Sequence, residues 1–245
     1  MFPLVHYFVN RQIYGSVPTL MALGGIFPDL AAGAGMNRDK AHEMGANFHT
    51  WCKNNAPEGI PLSIGIASHG INPHGVDYFS DEFWPGYKKG WCFLQGEPYM
   101  DMVAAATHLP ADLIWWKSHN FVEMSYELIT DGDYPQIKNE LLTALYDTEA
   151  KKTAAQILSS YAGVPPEPIV DIFNNAPNIF AIDDISAEKL AFKQDLSYKI
   201  RHNINDADID AMTKLLSKMS QELRCGYYPF IKQLISLTAQ ALSSY

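Results

Sequence analysis

Residues 110–129, PADLIWWKSHNFVEMSYELI, restrict the fold more than any other stretch of the chain. Proline suits the first helical turn, and the segment behind it has helical periodicity to about Ile129. Trp115, Trp116, Phe121 and Val122 make this helix apolar over much of its surface, so it belongs inside the molecule with other elements around it. It nevertheless carries His119 and Glu123 one turn apart on one face, with Glu127 continuing that face. The plain alternative is a surface i,i+4 hydrogen bond. A buried carboxylate without a partner is costly, and this favours a metal ion between the two side chains.

The remaining pattern is also helical, and the expected fold class is all-α. Residues 3–14 place Leu4, Val5, Phe8 and Ile13 at helical spacing, with His6 beside the stripe. A second helix is expected from Ser16-Val17-Pro18 to Gly24-Gly25, with Phe27-Pro28-Asp29 on a turn because the residue before proline avoids helical geometry. Asn37 reads as the cap of a helix reaching about Asn54, in which His42, Ala46 and His49 share a face. IPLSIGIASH at 60–69 reads equally as buried helix or short strand. Residues 70–100, rich in Gly, Pro and aromatics, read as an irregular functional loop. Further helices are expected over 135–160, 186–202, 205–223 and 228–243. The expected division is a metal-binding helical core over 1–130 and a helical C-terminal extension over 131–245 packed on it.

Composition excludes some classes. A formal charge of −9 argues against a nucleic-acid duplex or an anionic membrane surface as partner. Cys52, Cys92 and Cys225 form neither a disulfide framework nor a CxxC thiolate box. No apolar run approaches the ~20 residues of a membrane span. The first residues, with His6 and Asn10 interrupting the apolar run, lack the pattern of a secretory signal. The expectation is a cytoplasmic protein without a membrane span.

Seven of the eight histidines fall within the first 119 residues, interleaved with acids. Imidazole and carboxylate are the donors that divalent zinc, iron or manganese accept. The candidate ligands are His6, Asp29, His49, His69, Asp77, His108, His119 and Glu123. Each has a bland alternative: His6 as a core histidine, Asp29 as a turn aspartate, His74 and Asp77 as surface turn residues. His74 is the rival of Asp77. Asp112, in the first turn of the 110–129 helix, is explained by the exposed backbone amides there. His42 has no support beyond the face it shares with His49, and His202 reads as structural or solvent-facing.

Taken in order, His6, Asp29 in an FPD turn, His49, Gly65-x3-His69, Asp77, His108 and His119-x3-Glu123 resemble the zinc-dependent phospholipase C family, which is related to the single-strand-specific S1/P1 nucleases. The resemblance covers about residues 1–130. It implies a multi-helix bundle with a metal cleft and two or three zinc ions. Asp29, His49, His69 and Asp77 would serve one ion, with Asp77 bridging. His108, His119 and Glu123 would hold a second, and His6 with Asp77 a third. Three features depart from the family: Met1 stands where secreted members have a ligating tryptophan, Pro73 stands at the usual bridging position, and residues 130–245 have no counterpart.

The function implied is metal-dependent hydrolysis of a phosphoester, either a small phosphodiester or a phospholipid, with Asp29 as general base. Tyr78, Phe79, Phe83, Trp84 and Tyr87 would line the cleft or simply pack over it. An HD-type phosphohydrolase is disfavoured because no His-Asp dyad occurs in the sequence. A non-catalytic, metal-stabilised helical protein that binds a partner or ligand is the alternative.

Overall fold

The structure, a computed structural model, describes residues 3–245, and among these it is helical with no strand. Fourteen α-helices follow in order: α1 (Pro3–Tyr14), α2 (Thr19–Leu30), α3 (Arg38–Glu43), α4 (Gly45–Asn55), α5 (Ile60–His69), α6 (Trp91–Gly96), α7 (Met100–Thr107), α8 (Ala111–Asp133), α9 (Pro135–Tyr146), α10 (Thr148–Ala162), α11 (Pro166–Ile179), α12 (Ala187–His202), α13 (Ile209–Glu222) and α14 (Arg224–Ala241). None of them is long and apolar enough to cross a membrane.

Helix α8 is the buried axis that its composition requires. Phe121, Val122, Tyr126 and Ile129 are inaccessible to solvent, while Trp116 is exposed near its start. Helices α1, α6, α7, α13 and α14 pack around it. The hydrophobic core is continuous from α1 through α14. Phe27 of α2 meets Phe173 of α11, and Tyr126 of α8 stacks on Phe230 of α14.

Several local expectations are corrected. Gly24-Gly25 does not end α2, which continues to Leu30 and carries Asp29 in its last turn rather than on a free turn. The glycines serve approach instead. A Cβ on Gly24 would collide with the Leu62 carbonyl, and one on Gly65 with the Met21 carbonyl, so α2 and α5 cross backbone to backbone. Of the two readings open for 60–69, the structure shows the helix.

Another correction concerns residues 38–55, which form two helices. Asn37 caps the first, accepting from the Lys40 amide at 2.9 Å, but α3 stops at Glu43. Gly45 begins α4 where a side chain would strike Ala67 and the Asn72 carbonyl. His42 and His49 therefore sit on different helices and point to different places. The 70–100 stretch is only partly irregular: it holds a π-helical turn at Tyr78–Glu82 and all of α6. Helices α7 and α11 lie where none was expected.

Candidate metal centre

The α2–α5 crossing fixes the first group of ligand-type side chains. His69, at the end of α5, donates from Nδ1 to the Gly25 carbonyl of α2 at 2.7 Å. His42 donates from Nδ1 to the Arg38 carbonyl of its own helix at 2.8 Å. Both rings therefore present Nε2 inward, and these two nitrogens lie 3.3 Å apart. Around them stand Asp29 and Asp77. His42 Nε2 is 3.5 Å from Asp29 Oδ1 and 3.3 Å from Asp77 Oδ2, and His69 Nε2 is 3.2 Å from Asp77 Oδ2. One donor atom from each of Asp29, His42, His69 and Asp77 lies within 4.8 Å of all the others. Tetrahedral donors around one ion at ~2.1 Å are separated by about 3.4 Å, so this spacing fits a shared cation.

Asp77 uses both oxygens. Its Oδ1 faces His6 Nε2 of α1 at 3.2 Å, while Oδ2 faces His42 and His69. The His6 ring stacks on His69 with centroids 3.9 Å apart. Arg38 donates to Asp29 Oδ1 at 2.9 Å from the solvent side.

The second group lies beyond the π-helical turn. Asp81 on that turn joins His119 and Glu123 of α8. The π register, with the Phe83 amide donating to the Tyr78 carbonyl at 2.8 Å, puts both Asp77 and Asp81 on the buried side. His119 repeats the orientation of the other rings: its Nδ1 donates to the Trp116 carbonyl. Its Nε2 lies 3.9 Å from Glu123 Oε1. Asn120 donates to Glu123 Oε2 at 2.9 Å and sits 3.0 Å from His119 Nε2.

Three histidines thus pair Nδ1 with a backbone carbonyl and turn Nε2 toward carboxylates. That is the supporting arrangement commonly found behind metal-ligating imidazoles, because it fixes the tautomer and ring orientation. The electrostatics agree. Burial opposes ionisation of Asp29 and Asp77, yet both carboxyls are held well below the usual range, Asp77 chiefly by His69, with His42 and His69 contributing at Asp29. His42 is raised to about 9 against burial, by Asp29 and Asp77. Burial and then His69 lower His6 to about 3. Burial and the neighbouring Glu123 push Asp81 well up, and burial raises Glu123 to about 7. The second group accumulates like charge that a divalent cation would relieve.

The structure therefore brings together His6, Asp29, His69, Asp77, His119 and Glu123 from the sequence candidates. His49 is elsewhere: its Nδ1 is 2.8 Å from Ser63 Oγ and its ring lies against Tyr245. His108 occupies the left-handed residue ending α7, half-exposed and 3.5 Å from Asp206. From Ala111 at the start of α8 to His119 the helix rises about 12 Å, which carries His108 away from the cluster. His74 stacks on Tyr78. The tryptophan-replacing Met1 lies outside the described residues. Sequence reasoning missed His42 and Asp81. His42 was masked by assuming one continuous 38–54 helix. Asp81, four residues after Asp77, is hidden when residues 70–100 are read as an irregular loop, whereas the structure has a helical turn there.

Both groups open on one cavity of about 770 Å³, whose other wall comes from the end of α11 and from α12. Comparison with protein-family models, curated proteins and solved structures finds no match.

Proposed function

We propose that this chain is a metal-dependent hydrolase of phosphoesters, with Asp29, His42, His69 and Asp77 holding one divalent ion and Asp81, His119 and Glu123 a second. The observation that carries the reading is the set of three carbonyl-anchored imidazoles whose Nε2 atoms converge with four buried or nearly buried acids on one large cavity. His6, against the free side of Asp77, supplies a donor for a third ion. All donors are nitrogen or oxygen, which suits zinc and also manganese or iron.

Bound ions of this kind activate water near neutral pH and polarise phosphoryl oxygens. The chain's residues divide the remaining work. Four protein donors close a tetrahedral site, whereas three leave a position open, so the Asp81–His119–Glu123 group is where water and substrate have room. Asp29 is assigned as a ligand because its carboxylate stands among the donor atoms of His42, His69 and Asp77. Arg38 neutralises its outer face. Small phosphodiesters and phospholipids both remain in the substrate class.

The four-donor group on its own favours a second reading, a metal-stabilised protein without catalysis. Metal content per chain and hydrolysis of bis(4-nitrophenyl) phosphate decide between the two. Two or three ions per chain with turnover that is lost in His119→Ala supports the hydrolase. Bound metal without turnover on phosphodiester or phospholipid substrates supports the structural role, and no metal after add-back sinks both.

A further inference from the structure

We infer that the metal-side cavity contains a separate anion subsite, formed by Lys117 of α8 with Arg201 and Lys193 of α12. Lys117 is a buried residue, only 9% exposed, yet it lines the cavity and makes no hydrogen bond or ion pair with any described residue. A buried ammonium normally finds a carboxylate, and long cationic side chains are rarely buried without one. Arg201, an exposed residue, also lines the cavity and forms no ion pair with a described residue. Lys193 donates to the neutral Asn178 side chain at 2.8 Å, which leaves its charge uncompensated. In a chain of net charge −9, three cations that form no ion pair with a described residue line one cavity, with Glu123 the acid that acts on Lys117.

Asp29 and Asp77 are engaged away from these cations, Asp29 with Arg38 and His42 and Asp77 with three histidines, while Glu123, on α8 with Lys117, accepts from Asn120. The cavity is therefore lined by histidines and carboxylates from α2, α3, the π turn and α8 and by cations from α8 and α12. Ile179, Leu196 and Ile200 form an exposed apolar lip beside the cations. The ligand that matches is an organic phosphate with a second anionic group. One phosphoryl group would lie toward the metal ligands, and a second phosphate or carboxylate would lie on Lys117 and Arg201, paired by charge-assisted hydrogen bonds. The substrate class rests on the phosphoester reading above; the subsite itself does not.

Inorganic phosphate, titrated by calorimetry into the full-length chain as purified and again after chelation, tests this. The expected result is that Lys117→Met weakens phosphate binding at least tenfold and Arg201→Gln about threefold, with Lys232→Gln, an exposed lysine on α14, unchanged. Arg201 is exposed, so its variant keeps the test open should Lys117→Met fold poorly. Affinities equal to wild type in both cleft variants, or an equal loss in Lys232→Gln, would overturn the subsite. Chelation answers the other question. Lys117-sensitive binding that persists after chelation keeps the subsite, and the metallohydrolase falls only if the chain holds no metal as purified or after add-back. Binding that is lost on chelation and unchanged in Lys117→Met overturns the subsite and leaves the metal centre standing.

Discussion

The Nε2 atoms of His42 and His69 face each other across 3.3 Å, each on a ring whose Nδ1 already donates to a backbone carbonyl. Two imidazole lone pairs so opposed are stable only with a cation between them, either a proton or a metal ion. Asp29 and Asp77 flank the gap and favour either. His42→Ala and His69→Ala are each expected to remove at least one equivalent of bound metal, whereas His49→Ala keeps the full complement. Elemental analysis of the purified variants checks this, and loss in His49→Ala would contradict the assignment.

The same pair predicts a proton count. With His42 raised to about 9 it carries a proton at neutral pH, and the site must shed that proton to take up metal. Metal affinity should therefore climb with pH and level off above about 9. Calorimetric titration of zinc in buffers of different ionisation enthalpy should show protons released at pH 7, with fewer released as pH approaches 9. Absence of release at pH 7 would mean that His42 is already neutral there.

Asp81 separates the structure from the sequence pattern in a single variant. Asp81→Asn is expected to weaken the second ion at least tenfold, while His108→Ala leaves it intact. Competition with a chromogenic chelator reads the difference. The reverse order would restore His108 as ligand.

The α2–α5 crossing should be intolerant of a single methyl group. In Gly65→Ala the new Cβ meets backbone of α2 at Met21, Gly24 and Gly25, with no flexible side chain to yield. Overpacking of this kind costs about 1–3 kcal/mol or more. Because Gly25 is also the acceptor for His69, metal content should fall together with Tm. A Gly65→Ala protein with unchanged Tm and metal would show that the crossing relaxes freely.

Glu127 gives the chain a pH-dependent stability independent of metal uptake. Its carboxylate accepts from the Leu4 amide at 3.0 Å at the start of α1, and burial raises it from 4.5 to about 8. A raised carboxyl is ionised more readily in the unfolded chain. Its contribution is therefore complete below about 4.5 and lost as pH rises through 8. In the presence of chelator, wild-type stability relative to Glu127→Gln should decline across that window, by an upper limit of a few kcal/mol. A flat difference would mean that Glu127 titrates normally.

Periodicity and ligand chemistry, both local, are what the sequence determined alone. Helix α8, the capping Asn37, the all-helical class and the His119–Glu123 pair follow from 3.6-residue spacing and from the cost of burying carboxylates unpaired. His6, Asp29, His69 and Asp77 of the candidate centre are named from their order along the chain and the resemblance it carries. The glycines at 24, 25 and 65 are visible in the sequence, but their purpose is not, because close approach is a property of two helices rather than one. Only the tertiary structure separated His42 from His49, by breaking 38–55 where Gly45 meets Ala67. It also set His108 aside on a left-handed turn and raised Asp81 on a π turn. The physical reason is common to all three: a donor's identity is written in its residue, but its direction depends on backbone geometry fixed by packing between segments far apart in the chain.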